Sequence, residues 1–218
     1  MKKKLLYIGL GIVAVVLVFV GYHYVRFLQA TARMKELSAD LEKRIVEWEK
    51  KEYKRPPLFG PAVPGNAAEY YKLAIAKKID VPDDFQDVLY NSVYERSEPM
   101  NDELVKWAKS YTANVNLLKK GVNAENLKPI FQPREEISST MLSVPRQLTS
   151  YIVIILGIDL ENNNKFSEAL ELYCTTVRFA DDLGFGGHFI QMLVSIAISG
   201  GGQSEIQRLL LADKLSDE

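Results

Sequence analysis

QLTSYIVIILGIDLENNNKFSEALELYCTTVRFADDL, residues 147–183, reads as two helices joined by a polar turn. Asn162, Asn163 and Asn164 supply the turn, because asparagine side chains hydrogen-bond their own backbone in such places. Gly157 on the first helix and Ala169 on the second are small enough to let two antiparallel helices approach closely. A pair of this kind cannot bury its faces alone and needs helical neighbours. The fold class that follows is all-α, an irregular stack of helical hairpins.

The segment resembles one tetratricopeptide repeat. With Phe166 as the aromatic that opens the second helix, Leu156 and Gly157 match the large-then-small pair of the first helix. Ala169 matches the small residue at the helix crossing, and Tyr173 the aromatic four positions on. Val153, Leu160 and Thr176 are looser matches where Trp, Tyr and Ala are usual, and Asp181 stands where Pro is common. Ala67, Tyr71 and Ala74 echo the spacing of Ala169, Tyr173 and Thr176, but the intervening registers put Asn101 and Glu135 at the small position. The stack is therefore expected to be only partly tetratricopeptide-like. The resemblance implies a helical groove or stack end that holds another protein.

Downstream comes GFGGHF, then a helix carrying Ile190, Leu193, Val194, Ala197 and Ile198, then SGGGQ, then SEIQRLLLADKL. Both glycine clusters read as helix breaks. Neither has GxGxxG spacing after a strand or the Lys-Ser/Thr ending of a phosphate loop. The last helix ends amphipathically without a polar capping repeat, so the stack is expected to continue in a partner, a second copy or a longer natural protein. Upstream, Asn66 caps a helix whose inner face is Ala67, Tyr70, Tyr71, Ala74 and Ile75. Phe85, Val88, Leu89 and Val93 suggest a short helix ending before Pro99. A third runs from Asn101 through Leu104, Trp107, Tyr111, Val115 and Leu118 to Gly121, a candidate C-cap. Val122 to Pro133 reads as loop, Glu135 to Ser143 as a short helix, and Pro145 fits the first turn of the next.

Before that domain the chain is organised around Leu5 to Gly21, LLYIGLGIVAVVLVFVG, which lacks any charged or amide side chain. Extended to Val25, it approaches the roughly 17 to 25 apolar residues needed to cross a hydrocarbon core. The alternative is a cleaved signal peptide, but the A-x-A match, Ala30 to Ala32, lies far behind the apolar run and inside a continuing helical pattern. The basic start (Lys2, Lys3, Lys4) favours a cytoplasmic amino terminus, with the domain extracytoplasmic. Arg26 to Tyr53 is amphipathic, with Phe27, Met34, Leu37, Leu41, Ile45 and Trp48 on one face. It either self-associates as a stalk or packs on the domain. Lys54 to Gly65, KRPPLFGPAVPG, cannot propagate a helix or join a central strand, so it reads as an extended linker or a docking peptide.

Composition excludes several classes. Lys plus Arg number 27 against 28 Asp plus Glu. Without the three leading lysines the balance is 24 − 28 = −4, the wrong sign for a nucleic-acid binder. Cys174 is the only cysteine, so no intramolecular disulfide or cysteine-rich metal site exists. His23 and His188 are the only histidines, too few for a histidine-rich metal site. The acidic pairs Asp83–Asp84, Glu135–Glu136 and Asp181–Asp182 diverge around a helix and read as caps and solvated faces. No catalytic, cofactor-binding or metal residue is assigned.

The expected organisation is a cytoplasmic tail (1–4), a transmembrane helix (5–25), an amphipathic juxtamembrane helix (26–53), a Pro-rich linker (54–65) and an α-helical domain (66–218). In outline this resembles single-pass envelope proteins of bacteria, which implies an inner-membrane location. The expected function is a membrane-anchored protein–protein interaction or scaffold module whose partners are membrane lipid through residues 5–25 and another protein. Homo-oligomerisation is open. The alternatives are an envelope hydrolase using carboxylates and a self-associating structural stalk.

Overall fold

The computed structural model describes residues 2–49, 52–83, 100–131, 139–187 and 189–212, together with Phe85, Leu89 and Val93. They fall into two compact units, 1–50 and 51–218. The first is a single helix, α1 (Lys2–Glu49). At 1.5 Å per residue it is roughly 70 Å long. The apolar run and the amphipathic run thus share one uninterrupted helix, and the surroundings of residues 1–20 lie outside the described set. Along its second half Phe27, Met34 and Leu37 are exposed. Arg44 pairs with Asp40 one turn back at 2.8 Å.

The second unit is mostly helical but not purely so. β1 (Tyr53–Lys54), β2 (Val63–Asn66) and β3 (Ala124–Leu127) form a small sheet in the order β1-β3-β2, with β1 antiparallel and β2 parallel to the central strand. The all-α expectation is corrected to that extent, and the region expected as loop, Val122 to Pro133, contains the central strand. Pro64 sits on edge strand β2, where a missing N–H is tolerated. The Pro-rich segment is tied down: Val63 N donates to Asn123 O at 2.8 Å and Phe59 N to the Asn123 side chain at 2.7 Å.

Asn66 caps α2 (Ala67–Ile75) as expected, accepting from Ala68 N at 2.9 Å. Asn101 caps α3 (Asp102–Lys109), accepting from Leu104 N at 2.7 Å. The run expected to reach Gly121 unbroken stops at Ser110, and α4 (Thr112–Val122) begins afresh. Gly121 lies inside α4 and is no C-cap. A Cβ there would stand 2.2 Å from the Tyr71 ring, so glycine is needed for the close crossing of α2 and α4. Of the short helix expected after Pro82, only Phe85, Leu89 and Val93 are described, all buried. Of the helix expected over Glu135 to Ser143, residues 135–138 lie outside the described residues and 139–143 are helical.

Pro145 falls inside α5 (Ser139–Gln147), not in a first turn. It has no N–H to give the preceding turn, and a π-helical turn, Leu148–Val153, follows. The Thr149 hydroxyl donates to the Pro145 carbonyl at 2.8 Å. The helix then continues as α6 (Ile154–Asn162). Within the second unit the stretch Met141–Asn162 is long and apolar enough to cross a membrane, and 61% of its apolar window is buried inside the domain, as befits a core helix.

α6 turns at Asn163 and Asn164, the latter at φ 59°, into α7 (Phe166–Gly184). After a second turn, with Gly186 at φ 67°, α8 (Phe189–Leu211) runs back along α7. The break expected at SGGGQ does not occur, because α8 passes straight through Gly200, Gly201 and Gly202. A Cβ at Gly202 would lie 2.9 Å from Val177 and 3.2 Å from the Tyr173 carbonyl, so this glycine brings α8 against α7.

Candidate functional site

The residues matched to the repeat pattern come together at the α6–α7 crossing. Ala169 and Tyr173 are fully buried, while Leu156 and Phe166 are partly buried against the same core. A Cβ on Gly157 would stand 2.4 Å from the Tyr173 ring. The Tyr173 hydroxyl donates to Glu161 Oε1 at 2.5 Å, and the Arg208 guanidinium of α8 pairs with that same oxygen. Arg208 Nε also reaches Glu205 at 2.9 Å. Burial works against the Arg208 charge, but Glu161 and Glu205 outweigh it and raise its pKa. This cluster locks three helices in register.

A second cluster was missed by the sequence reasoning. Asp182, expected on a solvated face, is 3% exposed. It is ion-paired with Arg55, which projects from the Pro-rich segment. The Tyr71 hydroxyl donates to Asp182 Oδ2 at 2.5 Å, and Arg178 Nε stands 3.8 Å from Oδ1. Arg55 also donates to the Gly121 carbonyl and, from Nε, to the Ala124 carbonyl at 3.3 Å. Burial pushes the Asp182 carboxyl above its usual range although Arg55, Tyr71 and Arg178 all pull it down. Tyr71 is held well above its ordinary value, first by burial and then by the neighbouring carboxylate. One signal was legible: Asp182 continues the buried line of Leu172, Thr175, Thr176 and Phe179 at three- and four-residue steps.

Neither cluster presents a reactive atom to solvent, and each carboxylate is engaged by hydrogen-bond donors. Among the described residues no group of three His, Cys, Asp or Glu could hold a metal ion. Cys174 is half-buried, and burial raises its thiol pKa, which disfavours the nucleophilic thiolate. His188 lies outside the described residues, as do Asp84, Glu135 and Glu136.

The surface with chemical character is the outer side of α8. Its buried positions are Gln191, Ser195, Ile198, Gly202 and Leu209. Gln191 Nε2 donates to Leu183 O at 2.5 Å and Ser195 Oγ to Ala180 O at 2.6 Å. Gln191 and Ser195 therefore face inward beside Ile198, and several large apolar side chains face outward: Phe189 is 74% exposed, Ile190 63% and Ile196 65%. Leu193 and Ala197, among the apolar residues the sequence places on this helix, are exposed as well. From Phe189 to Ser204 the helix carries no charged residue. Beside it, a hollow of about 250 Å³ between α5, α7 and α8 is lined by Arg146, Thr149, Thr176, Gly202 and Glu205 among others.

No protein-family model, no curated protein and no solved structure matches this chain.

Proposed function

We propose that this chain is a membrane-anchored protein–protein interaction module, held in the bilayer by Leu5 to Gly21 and presenting a mostly helical domain outside the cytoplasm. The observation that carries the reading is the inverted α8, which buries glutamine and serine while exposing Phe189, Ile190, Leu193 and Ile196. A contiguous exposed apolar face of this kind marks an interaction surface. Lipid is a poor occupant, because interfacial helices carry Lys or Arg beside their apolar face and α8 has none before Arg208. The tetratricopeptide-like pairing of Leu156, Gly157, Phe166, Ala169 and Tyr173 supports the same class, since repeat hairpins of that family serve as binding scaffolds. The anchor rests on the uncharged run in α1 and its lysine-rich start.

The test is a photo-cross-linking residue placed at Ile196 in the full chain, expressed in its native membrane, with the same residue at exposed Lys72 on α2 as control. Protein adducts from position 196 and not from 72, in a chain that stays with the membrane through an alkaline wash, are the expected result. Adducts absent at 196, or equal at both positions, would overturn the interaction reading. Release by the wash would overturn the anchor.

A further inference from the structure

We infer that the occupant of the α8 face is a second copy of this chain, seated so that α8 pairs with its counterpart antiparallel about a two-fold axis passing between Leu193 and Ile196. The inference rests on the interaction reading above and names its partner. Phe189, Leu193, Ile196 and Gly200 follow one another at steps of four, three and four residues, which places all four on one narrow stripe of the helix. That spacing is the same read in either direction. An antiparallel partner therefore sets Leu193 beside Ile196 and Phe189 beside Gly200, twice over, as an isologous interface requires.

The side chains suit that register. Phe189 is the largest and most exposed residue of the stripe, and Gly200 offers it a seat: a Cβ at Gly200 would find nothing within 4 Å. Gly200 thus lacks the intramolecular reason for glycine that Gly202 has, although a helix-interior glycine costs about 1 kcal/mol relative to alanine. The absence of charge from Phe189 to Ser204 lets identical faces meet without repulsion.

The area is sufficient. Phe189, Ile190, Met192, Leu193 and Ile196 are each about half to three-quarters exposed. At roughly 100 Å² apiece they offer about 500 Å² per copy, or about 1,000 Å² in the pair, the threshold for a specific interface.

The experiment uses the full chain in mild detergent, with Cys174 replaced by serine, and follows protein mass by light scattering from about 1 to 100 µM. Mass should rise from one chain to two across that range. Ile196→Glu should raise the dissociation constant at least about 100-fold, because each copy would bury an unpaired carboxylate against Leu193 of the other. Gly200→Phe, at a position open in the single chain, should do the same by filling the seat of Phe189, with helical content unchanged. Under mild oxidation, copies carrying Phe189→Cys should cross-link to copies carrying Gly200→Cys. A one-chain mass throughout, a two-chain mass untouched by either variant, or failure of the 189–200 cross-link would each overturn the pairing. If position 196 still gave adducts with a different protein, the interaction module would survive and only self-pairing would fall.

Discussion

Replacing Arg55 by methionine removes the cation that faces Asp182 and keeps the length of the aliphatic stem. The Asp182 side chain is 5% exposed and that of Arg55 7%, so water cannot take the guanidinium's place without opening the packing. Breaking a buried pair from one side typically costs about 3–5 kcal/mol. The upper bound follows independently, because the stranded carboxylate can escape by taking a proton. Moving a carboxyl of ordinary pKa about 3.9 to the neutral form at pH 7 costs about 4 kcal/mol. The Gly121 and Ala124 carbonyls also lose a donor, while the Tyr71 hydroxyl continues to donate. A loss of about 3–5 kcal/mol at pH 7 is expected, a large part of the roughly 5–15 kcal/mol that holds a domain together.

The escape by protonation gives the variant its own signature. In Arg55→Met the folded-state pKa of Asp182 rises further above its unfolded value. The stability tied to that proton is then complete below the unfolded pKa and lost as pH rises through the folded one. The defect relative to wild type should therefore shrink as pH falls below 7, by at most about 1.4 kcal/mol for each pH unit. Urea unfolding of the full chain in detergent measures it, with Trp107, packed edge-on against Tyr111 at 5.8 Å, as reporter and Trp48 replaced by phenylalanine. A loss under about 1 kcal/mol, or one that does not change with pH, would refute the account of Arg55 as the counter-charge of a buried carboxylate.

Wild-type Asp182 already has a raised pKa, so its proton favours the folded state as pH falls through that raised value; there the stability gap between wild type and Asp182→Asn should widen, and a narrowing gap in the same urea titration would contradict it. Gly157→Ala and Gly121→Ala drive a methyl into the rings of Tyr173 and Tyr71, both pinned by carboxylates, and each should lower stability by about 1–3 kcal/mol despite better helix propensity. Gly201→Ala meets nothing within 4 Å and should raise stability by about 0.5–1 kcal/mol, as a shift in melting temperature reports.

How much of this was legible in the sequence depends on whether the signal was local. The hairpin of α6 and α7 was readable because its turn and its close crossing are each encoded within a few residues. The cap at Asn66 and the helix start near Asn101 were readable for the same reason. Central strand β3 was not, since Ala124-Glu125-Asn126-Leu127 has little strand propensity and pairs only because Tyr53 and Val63 are brought to either side of it. The glycine run of α8 misled for a related reason. Local propensity votes for a break at Ser199 to Gln203, while the contact of Gly202 with the Tyr173 carbonyl is tertiary and leaves no mark in the sequence. Asp182 was half legible: its place on an apolar stripe could be counted, but its partner lies 127 positions away.

The inversion of α8 follows from what lies beneath it. α7 ends at Gly184, so the carbonyl of Leu183 is one of the terminal acceptors that its own helix cannot satisfy. Gln191 reaches back to that carbonyl, and Ser195 adds a donor to the carbonyl of Ala180 one turn earlier. Packing α8 here therefore calls for donors on its inner face, where an all-apolar stripe would strand an acceptor at a cost of about 1–3 kcal/mol. That requirement accounts for the polar residues inside. It does not account for the apolar residues outside, because nothing about bonding α7 asks for Phe189, Leu193 or Ile196 in place of lysine or glutamate. Their presence on the surface needs a cause outside this chain's own fold, and a second apolar face supplies one.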